Sequence, residues 1–248
     1  GIRIQHPQVM IDEAQYGEMH EYLPPADYKL TYKAKSGRGV YSFCMCPGGY
    51  VVNSSSEPGR LCVNGMSDRG RDSGNANSAI VVTVSPEDYY KDSPLDGIEF
   101  QRELEERAYR AGGSDGSVPV QLFADYRAER MSEAFGDVRP CTRGKTAFAD
   151  VNKVFPGFIN RDIKEAVTAF GEKIKGFNRD DALIYAVESR TSSPVRIKRD
   201  ADLNACVKGI YPCGEGAGYA GGITSAAMDG MRAAETIIRK YAASEGGS

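Results

Sequence analysis

The stretch "GIYPCGEGAGYAGGITSAAMDGMRAAE", residues 209–235, carries five glycines between positions 214 and 222. The apolar run that leads into it, residues 206–213, predicts a buried strand, and helical spacing begins near Ile223. Glycines remove side chains from the intervening loop, so its backbone can approach a ligand closely. A helix that begins there directs unpaired N–H groups toward the same space, which suits a phosphate or a carbonyl oxygen. A tightly packed turn would explain the glycines equally well.

Composition narrows the class of protein. The chain has 248 residues, of which 41% are hydrophobic and 26% charged, enough for one large or two unequal domains. A net charge of −3 and a pI near 5.6 argue against a nucleic-acid partner. The sequence lacks an apolar run of membrane-spanning length and a signal-peptide pattern, so we expect a cytoplasmic protein that does not bind membranes. Six scattered cysteines predict reduced thiols, and two histidines argue against a metal site.

The order of predicted elements favours a mixed α+β fold. Alternating apolar residues predict strands in "GIRIQH", "GVYSFCMCPGGYVVNSS" and "SAIVVTV". Helical periodicity follows over 96–110 and again over 160–177, where Ile163, Val167, Phe170 and Ile174 share one side. The stretch "ALIYAVESRTSSPVRIKRD" then predicts a strand, a polar turn and a second strand. Strands grouped before and after helices are typical of α+β or split α/β architectures.

The glycine-rich stretch resembles the closing FAD motif of two-dinucleotide-fold flavoproteins. The wider sequence is similar to bacterial FAD-dependent, NAD-utilising dehydrogenase-like proteins, in "GIRIQHPQ", "FCMCPGGYVVNSSSEPG", "NANSAIVVTV" and "GFNRDDALIYAVESRTSSPVRI". The resemblance implies an FAD-dependent oxidoreductase that transfers hydride between flavin and a nicotinamide or an organic substrate. It implies that Glu215 binds the FAD sugar chain and that the backbone of Gly222, Ile223 and Thr224 faces the isoalloxazine. The implied cofactor-binding set is completed by Gly214, Gly216 and Gly221.

One departure from that family pattern concerns the opening dinucleotide motif. The pattern G-x-G-x-x-G after a first strand is absent, since "AGGSDGS" follows a predicted helix. We therefore expect the C-terminal part of a longer polypeptide. Residues 1–205 would form its middle, substrate-side domain, and residues 206–248 would supply the strand, glycine loop and helix of a split α/β FAD-binding domain. By itself this chain is expected to be inactive and not to retain FAD.

The residue pattern of the predicted C-terminal helix indicates that one of its faces packs against another surface. Ala226, Gly230 and Ala234 recur at four-residue spacing, while Met231 and Ile238 supply bulk. An isolated helix is marginal in water, so its apolar face needs a partner surface. That surface would be the middle domain or a second copy of the chain, which predicts a homodimer through this helix as one outcome.

Substrate-side candidates are the two cysteines of a strand and two groups of arginines. Cys44 and Cys46 lie two apart in a predicted strand and would share one face, where they could meet a flavin or a substrate, although buried core thiols fit as well. Regular strand geometry argues against a bridge between them. In the first set of arginines, Arg69 and Arg71 lie near Asn75 and Asn77 and could clamp an anion. In the second set, Arg190 and Arg196 belong to "ESRTSSPVR" (188–196), which the resemblance places beside the flavin.

A second class of function stays open at the level of sequence. In a non-enzymatic binding module, the middle domain would recognise a ligand or partner and the glycine loop would be a packed turn. A flavin-dependent modifier of a large RNA is disfavoured by the acidic pI. For the enzyme, a small-molecule substrate and NAD(P)H are the expected partners.

Overall fold

The computed structural model describes residues 1–242 and shows a mixed α+β architecture, which confirms the predicted fold class. The chain divides into two compact units. Unit 1 comprises residues 1–88 and 100–189, and unit 2 comprises residues 89–99 with the chain from 190 onward. The functional boundary expected at residue 205 stays a prediction.

Unit 1 contains a seven-stranded and a three-stranded sheet. The larger sheet has the order β2-β3-β6-β1-β10-β7-β9, and all neighbours are antiparallel except β7 and β9. Its strands are β1 (Ile2–Pro7), β2 (Thr31–Lys33), β3 (Gly39–Cys46), β6 (Asn75–Val82), β7 (Val118–Leu122), β9 (Thr146–Phe148) and β10 (Leu183–Tyr185). The smaller sheet has the order β5-β4-β8, with strands β4 (Gly49–Asn53), β5 (Val63–Ser67) and β8 (Thr142–Arg143).

Both faces of the central strand β1 are buried. Alternation places Ile2, Ile4 and His6 on one face and Arg3 and Gln5 on the other, and all five side chains are inaccessible to solvent. The first face is apolar, whereas the second is polar although it is equally buried. A strand that reads as half-exposed in sequence is therefore covered on both sides.

Helix α4 (Gly157–Phe170) packs on strands β6, β3 and β2 of this sheet, and Phe177 in the turns that follow it contacts His6 of β1. Ile163, Val167 and Phe170 are fully buried on this helix. Phe177 packs edge-on against Phe170, with ring centroids 5.7 Å apart, and lies 4.4 Å from the ring of His6. Burial of these side chains is the main source of stability on this side of the sheet.

The remaining helices of the described chain are α1 (Gln8–Tyr16), α2 (Asp96–Ala111), α3 (Phe123–Arg127) and α5 (Ile223–Tyr241). Short 3-10 segments occur at Gly17–Tyr22, Pro86–Asp88 and Val151–Lys153. The helix predicted over 96–110 is confirmed. The helix predicted over 160–177 begins at Gly157 and ends at Phe170, and Ile174 is buried in the turn beyond it.

In unit 2, the strand predicted over 206–213 does not form, so that prediction was wrong. Within the described residues this segment folds as turns, in which the Ala205 N–H donates to the Ile210 carbonyl at 2.8 Å. Gly209 has φ +87°, outside the extended region, and Pro212 has no N–H for a strand ladder. Ile210 is 54% exposed and so lacks the burial that the apolar pattern suggested.

The second strand predicted in "ALIYAVESRTSSPVRIKRD" is also absent from the described chain. Its first strand is β10, but residues 194–200 take no strand conformation. The Ile197 N–H instead donates to the carbonyl of Ala217, at 3.1 Å, in the glycine-rich loop. The apolar residues here support a loop contact and no sheet.

Helix α5 forms as predicted, but its apolar side chains are exposed. Ile223 is 88%, Met231 64% and Ile238 65% exposed, whereas Ala233 is buried. The prediction that a second copy covers this face stays a prediction.

We expect Gly65→Ala in β5 to destabilise unit 1 by about 1–3 kcal/mol, because a methyl group there overpacks a filled site. An added Cβ would lie 2.6 Å from Cζ of Arg3 and nearer still to Oδ1 of Asn77. Gly74→Ala is the matched control, since nothing lies within 4 Å of its added Cβ. Denaturant unfolding measures both. Equal free energies of unfolding for the two variants would contradict the close packing at Gly65.

Candidate functional site

The glycine-rich loop 214–222 is held by the segment that follows β10. Ser193 donates its hydroxyl to the carbonyl of Gly216 at 3.2 Å, and Arg196 Nε donates to the carbonyl of Gly218 at 2.9 Å. The Tyr219 hydroxyl donates to the Ile197 carbonyl at 2.9 Å. The structure therefore brings together two stretches singled out in the sequence, "ESRTSSPVR" and the glycine loop.

A partly buried ion pair braces this loop against α5. Arg199 contacts Asp229 through two hydrogen bonds of 2.7 and 2.9 Å, and it donates to the Pro212 carbonyl at 2.9 Å. The Gly214 N–H donates to the same Asp229 carboxylate at 2.9 Å. The hydrogen bonds from Arg199 and then from Gly214 lower the pKa of Asp229 from 3.8 to about 2. Sequence reasoning missed this pair because its members are 30 residues apart.

The glycines of the loop serve two purposes. Gly214 and Gly218 have φ of +73° and +83°, and a Cβ at Gly218 would lie 2.5 Å from the Val195 carbonyl oxygen. These two positions need glycine to build the loop itself. By contrast, nothing lies within 4 Å of an added Cβ at Gly216 or Gly221, and the nearest atom to Gly222 is Ser225 Oγ at 3.7 Å. The backbone at these three positions is open to a ligand.

The other residues assigned to the cofactor line this open side. Glu215 is half-buried, and its carboxylate makes no hydrogen bond or ion pair to residues 1–242. Ile223 and Thr224 are exposed at the start of α5. No side chain of the described protein caps that helix end, and its first turn carries no acidic residue. The helix N-terminus thus keeps its partial positive charge for a ligand.

A second polar cluster lies in unit 1, on the buried polar face of β1. The Arg3 guanidinium donates to the Cys44 carbonyl at 2.7 and 3.1 Å and to Oδ1 of Asn64 at 3.2 Å. Its Nε lies 3.3 Å from the carboxylate of Glu188. Asn77 is fully buried beside them, and its side-chain amide has no hydrogen-bond partner among the described residues. Sequence reasoning missed Arg3 because alternation alone indicates an exposed position.

Glu188 is the titratable group of this cluster with a shift into the physiological range. Burial raises the pKa of its carboxyl from 4.5 to about 7, although the nearby Arg3 acts in the opposite direction. Removing a carboxylate from water costs more than a single ion pair of imperfect geometry returns. Glu188 is therefore able to bind and release a proton near neutral pH.

Cys44 and Cys46 border the same cluster. A register shift between Phe43 and Cys46 pairs Cys46 with Asn77 on β6. Cys46 therefore lies on the face that carries Arg3, which pairs with Ala79. Cys44 is exposed and Cys46 is buried. No described cysteine is part of a disulfide.

The two arginine groups have different surroundings. Arg69 and Arg71 are exposed, whereas Asn75 and Asn77 are buried, and Asn75 donates its amide to the Arg139 carbonyl at 2.7 Å. An anion clamp built from all four side chains is therefore not formed, and the role of the arginines stays a prediction. Arg190 and Arg196 are exposed in unit 2, where Arg196 also lies over the Tyr219 ring at 5.1 Å.

Neither a metal-binding cluster nor a membrane-spanning helix occurs within residues 1–242. No group of three or more His, Cys, Asp or Glu side chains there is arranged to hold a metal ion. Helices of that region are also too short or too polar to cross a bilayer.

Comparison with known proteins identifies the family. Residues 1–191 match the family described as FAD-dependent protein, C-terminal domain-like. The chain belongs to this family. An uncharacterised protein of Clostridium beijerinckii is 51% identical over 245 residues, which cover 97% of this chain and 46% of that protein. The chain thus spans about half the length of this curated relative.

The match confirms the FAD-dependent family that the sequence motifs indicated. It covers β1 to β10, while the glycine loop and α5 lie beyond its end. The assignments of individual cofactor-binding residues in that C-terminal segment stay predictions.

We expect ionisation of Glu188 to destabilise the folded protein as the pH rises. Its folded pKa exceeds the unfolded value, so the stabilisation is complete below pH 4.5 and is lost as the pH approaches about 7. Glu188→Gln removes this contribution. The free energy of unfolding of the wild type minus that of Glu188→Gln should therefore fall by about 1–3 kcal/mol between pH 4.5 and 8.

The stability of the wild type is compared with that of Glu188→Gln because His6 also titrates in this pH range and changes the stability in the opposite direction. Burial lowers the pKa of His6 to about 4, so His6 stabilises the fold increasingly as the pH rises. The His6 contribution is common to both proteins and cancels. Exposed Glu133→Gln is the control, and a flat difference curve for Glu188→Gln would exclude the raised pKa.

Proposed function

We propose that this chain is the C-terminal part of an FAD-dependent oxidoreductase that transfers hydride between flavin and a nicotinamide or a small organic substrate. Unit 1 would be the substrate-side domain, and the glycine loop with the start of α5 would bind the flavin portion of FAD. Family membership and the open backbone at Gly216, Gly221 and Gly222 support this function.

The residues of the loop fit the chemical groups of FAD. The uncapped N–H groups at the start of α5 are suited to a carbonyl oxygen, which carries partial negative charge. The unpartnered carboxylate of Glu215 is suited to a ribityl or ribose hydroxyl. The exposed position of Ile223 offers apolar area to a ring. The carbonyl oxygen, the hydroxyl and the ring are three different groups of FAD, and the loop offers a complementary feature to each of them.

When bound, FAD would accept or donate the hydride, and the protein would supply position and charge. The Arg199–Asp229 pair would keep the loop in one conformation, because it ties Gly214 and Pro212 to α5. A loop fixed in advance loses less conformational entropy when a ligand binds.

A non-enzymatic binding module is the competing class. In that protein the open loop would contact a partner, and no bound flavin would be present. The absorbance of the purified longer protein near about 450 nm separates the two classes, because an oxidised flavin cofactor absorbs there. A colourless longer protein with no FAD in its acid extract would reject the oxidoreductase proposal.

We expect Gly222→Val to reduce FAD loading of the longer protein at least about tenfold while leaving the melting temperature of the apoprotein unchanged. Gly222 has φ −162°, which valine adopts, and no atom lies within 3.7 Å of an added Cβ. Any loss of FAD would therefore come from blocked ligand access. Gly230→Ala, which has open space along α5, is the control for a harmless change.

A contrasting variant distinguishes ligand access from damage to the loop. Gly218→Ala should lower the melting temperature, because its Cβ would lie 2.5 Å from the Val195 carbonyl oxygen at φ +83°. Normal FAD loading of Gly222→Val would place the flavin elsewhere.

We expect Glu215→Gln to weaken FAD binding by about 1 kcal/mol, because the glutamine amide oxygen still accepts a hydrogen bond but lacks the charge that strengthens it. Exposed Glu235→Gln on α5 serves as the matched control. Fluorescence titration of the apoprotein with FAD gives both dissociation constants. Equal constants for wild type and Glu215→Gln would remove the carboxylate from the site.

The reaction partner, the cellular location and the form of the isolated chain are proposed as follows. We propose NAD(P)H or a small organic molecule as the reaction partner and the cytoplasm as the location. The 248-residue chain alone is proposed to lack bound FAD, because a second phosphate-binding element is needed for tight binding. The exposed stripe of α5, with Met231 and Ile238, would be covered by a second copy in this isolated form.

A further inference from the structure

The backbone around Cys44 departs from a regular strand. Cys44 has φ +45°, in the left-handed region that non-glycine residues seldom occupy. Between Phe43 and Cys46 three steps along β3 oppose two steps along β6, from Ala79 to Asn77, which defines a β-bulge. In a regular strand, residues two apart are separated by about 6.8 Å, the upper limit for a disulfide. The bulge removes that regular spacing, which was the objection to a bridge at the level of sequence.

Arg3 holds this irregular backbone in place. Two of its N–H groups donate to the Cys44 carbonyl, at 2.7 and 3.1 Å, from a side chain that is fully buried. The thiol of Cys46 points to the same carbonyl oxygen, with Sγ 3.5 Å away. The Cys46 side chain therefore folds back along the chain toward Cys44.

The two thiols also contact each other electrostatically. The hydrogen bond with the Cys44 side chain, followed by burial, raises the pKa of Cys46 above its ordinary value, while Arg3 acts to lower it. Cys46 is thus a buried, protonated thiol with an exposed thiol beside it. An accessible thiol next to a shielded one is the arrangement of a reacting and a resolving cysteine.

The other cysteines lack this arrangement. Cys206 and Cys213 are exposed, and each is separated from the next cysteine in sequence by more than one residue. Cys62 is buried and donates its thiol to the Ser54 carbonyl at 3.3 Å. Exposure alone would make Cys206 and Cys213 react as readily as Cys44, so these residues provide an internal comparison.

We propose that Cys44 and Cys46 form a reversible dithiol–disulfide couple that is oxidised by hydroperoxides. Cys44 attacks the terminal oxygen of the hydroperoxide, the O–O bond breaks, and the alcohol or water leaves with one proton. The product is a sulfenic acid on Cys44. The Cys46 thiol then attacks that sulfur, forms the S–S bond and releases the hydroxyl group as water with its own proton. In balance, two thiols lose two electrons and two protons, and one hydroperoxide is reduced. A dithiol reductant reverses the bridge by exchange.

Tryptic peptides of this chain make the test specific. Cleavage after Arg38 and Arg60 releases residues 39–60, which contain Cys44 and Cys46 and no further cysteine. Cys206 and Cys213 are released in separate peptides, residues 200–208 and 209–232. The full chain is reduced, desalted, treated with substoichiometric hydrogen peroxide, trapped with N-ethylmaleimide under denaturing conditions and digested. Mass spectrometry then reports each peptide from one sample.

We expect peptide 39–60 to become about 2 Da lighter and to lose both maleimide adducts, with a rate at least about tenfold above adduct loss at Cys206 and Cys213. Dithiothreitol should restore both adducts. Cys46→Ser should show no bridge and should accumulate a sulfenic acid on Cys44 that dimedone traps. Cys44→Ser should leave Cys46 alkylated at the wild-type level of reduced protein.

The measurement on the wild-type chain decides by itself whether Cys44 and Cys46 form a bridge, even if a substitution at buried Cys46 impairs folding. Two retained adducts on peptide 39–60 when peroxide has been consumed would overturn the proposal. Oxidation of Cys206 or Cys213 at an equal rate would overturn it as well, because reactivity would then follow exposure alone. FAD content is not part of the readout, so failure here leaves the proposed flavin function unaffected.

Discussion

The fully buried guanidinium of Arg3 is the contact on which the organisation of unit 1 depends. A charge removed from water must be surrounded by acceptors, because its desolvation is otherwise strongly unfavourable. Here the acceptors are the Cys44 carbonyl, the Asn64 side chain and the Glu188 carboxylate, from three separate parts of the chain. The bulge in β3, the position of β5 and the end of β10 are tied to one side chain. Packing of Gly65 against Arg3 follows from the same requirement, since any larger residue would displace the guanidinium.

The same arrangement explains why chemically versatile groups gather on this face. One face of β1 is filled by isoleucines and aromatic rings, which satisfy burial with apolar contacts alone. The opposite face is equally buried but carries Arg3, Gln5 and Asn77. Burial raises the pKa of Glu188, and the bulge places an exposed thiol beside a buried one. Buried polar groups of this kind are costly to leave without partners, and departures from the simple apolar core are typical of functional regions.

Unit 2 follows a different principle, because its loop is organised by hydrogen bonds and an ion pair with little apolar burial. Asp229 accepts hydrogen bonds from the Arg199 guanidinium and from the Gly214 N–H, so one carboxylate ties the start of the loop to α5. The loop glycines divide into positions that need glycine for the backbone, Gly214 and Gly218, and positions that leave the backbone open, Gly216, Gly221 and Gly222. Sequence alone weights all five equally, since a positive φ and an open approach select the same residue.

Local patterns by themselves determined the mixed α+β class, helices α2, α4 and α5 and most strands of the larger sheet, while the resemblance of the sequence motifs to known proteins indicated the FAD-dependent family. Periodicity and short motifs are properties of neighbouring residues, so the sequence contains them directly. The strand expected over 206–213 failed because one glycine and one proline outweighed its apolar residues. Only the tertiary structure decided that the polar face of β1 is covered, that Arg3 meets Glu188 185 positions later, and that Arg199 meets Asp229. These contacts depend on how distant segments pack, and the physical reason is that burial and charge pairing are set by three-dimensional neighbours, which alternation along one strand does not specify.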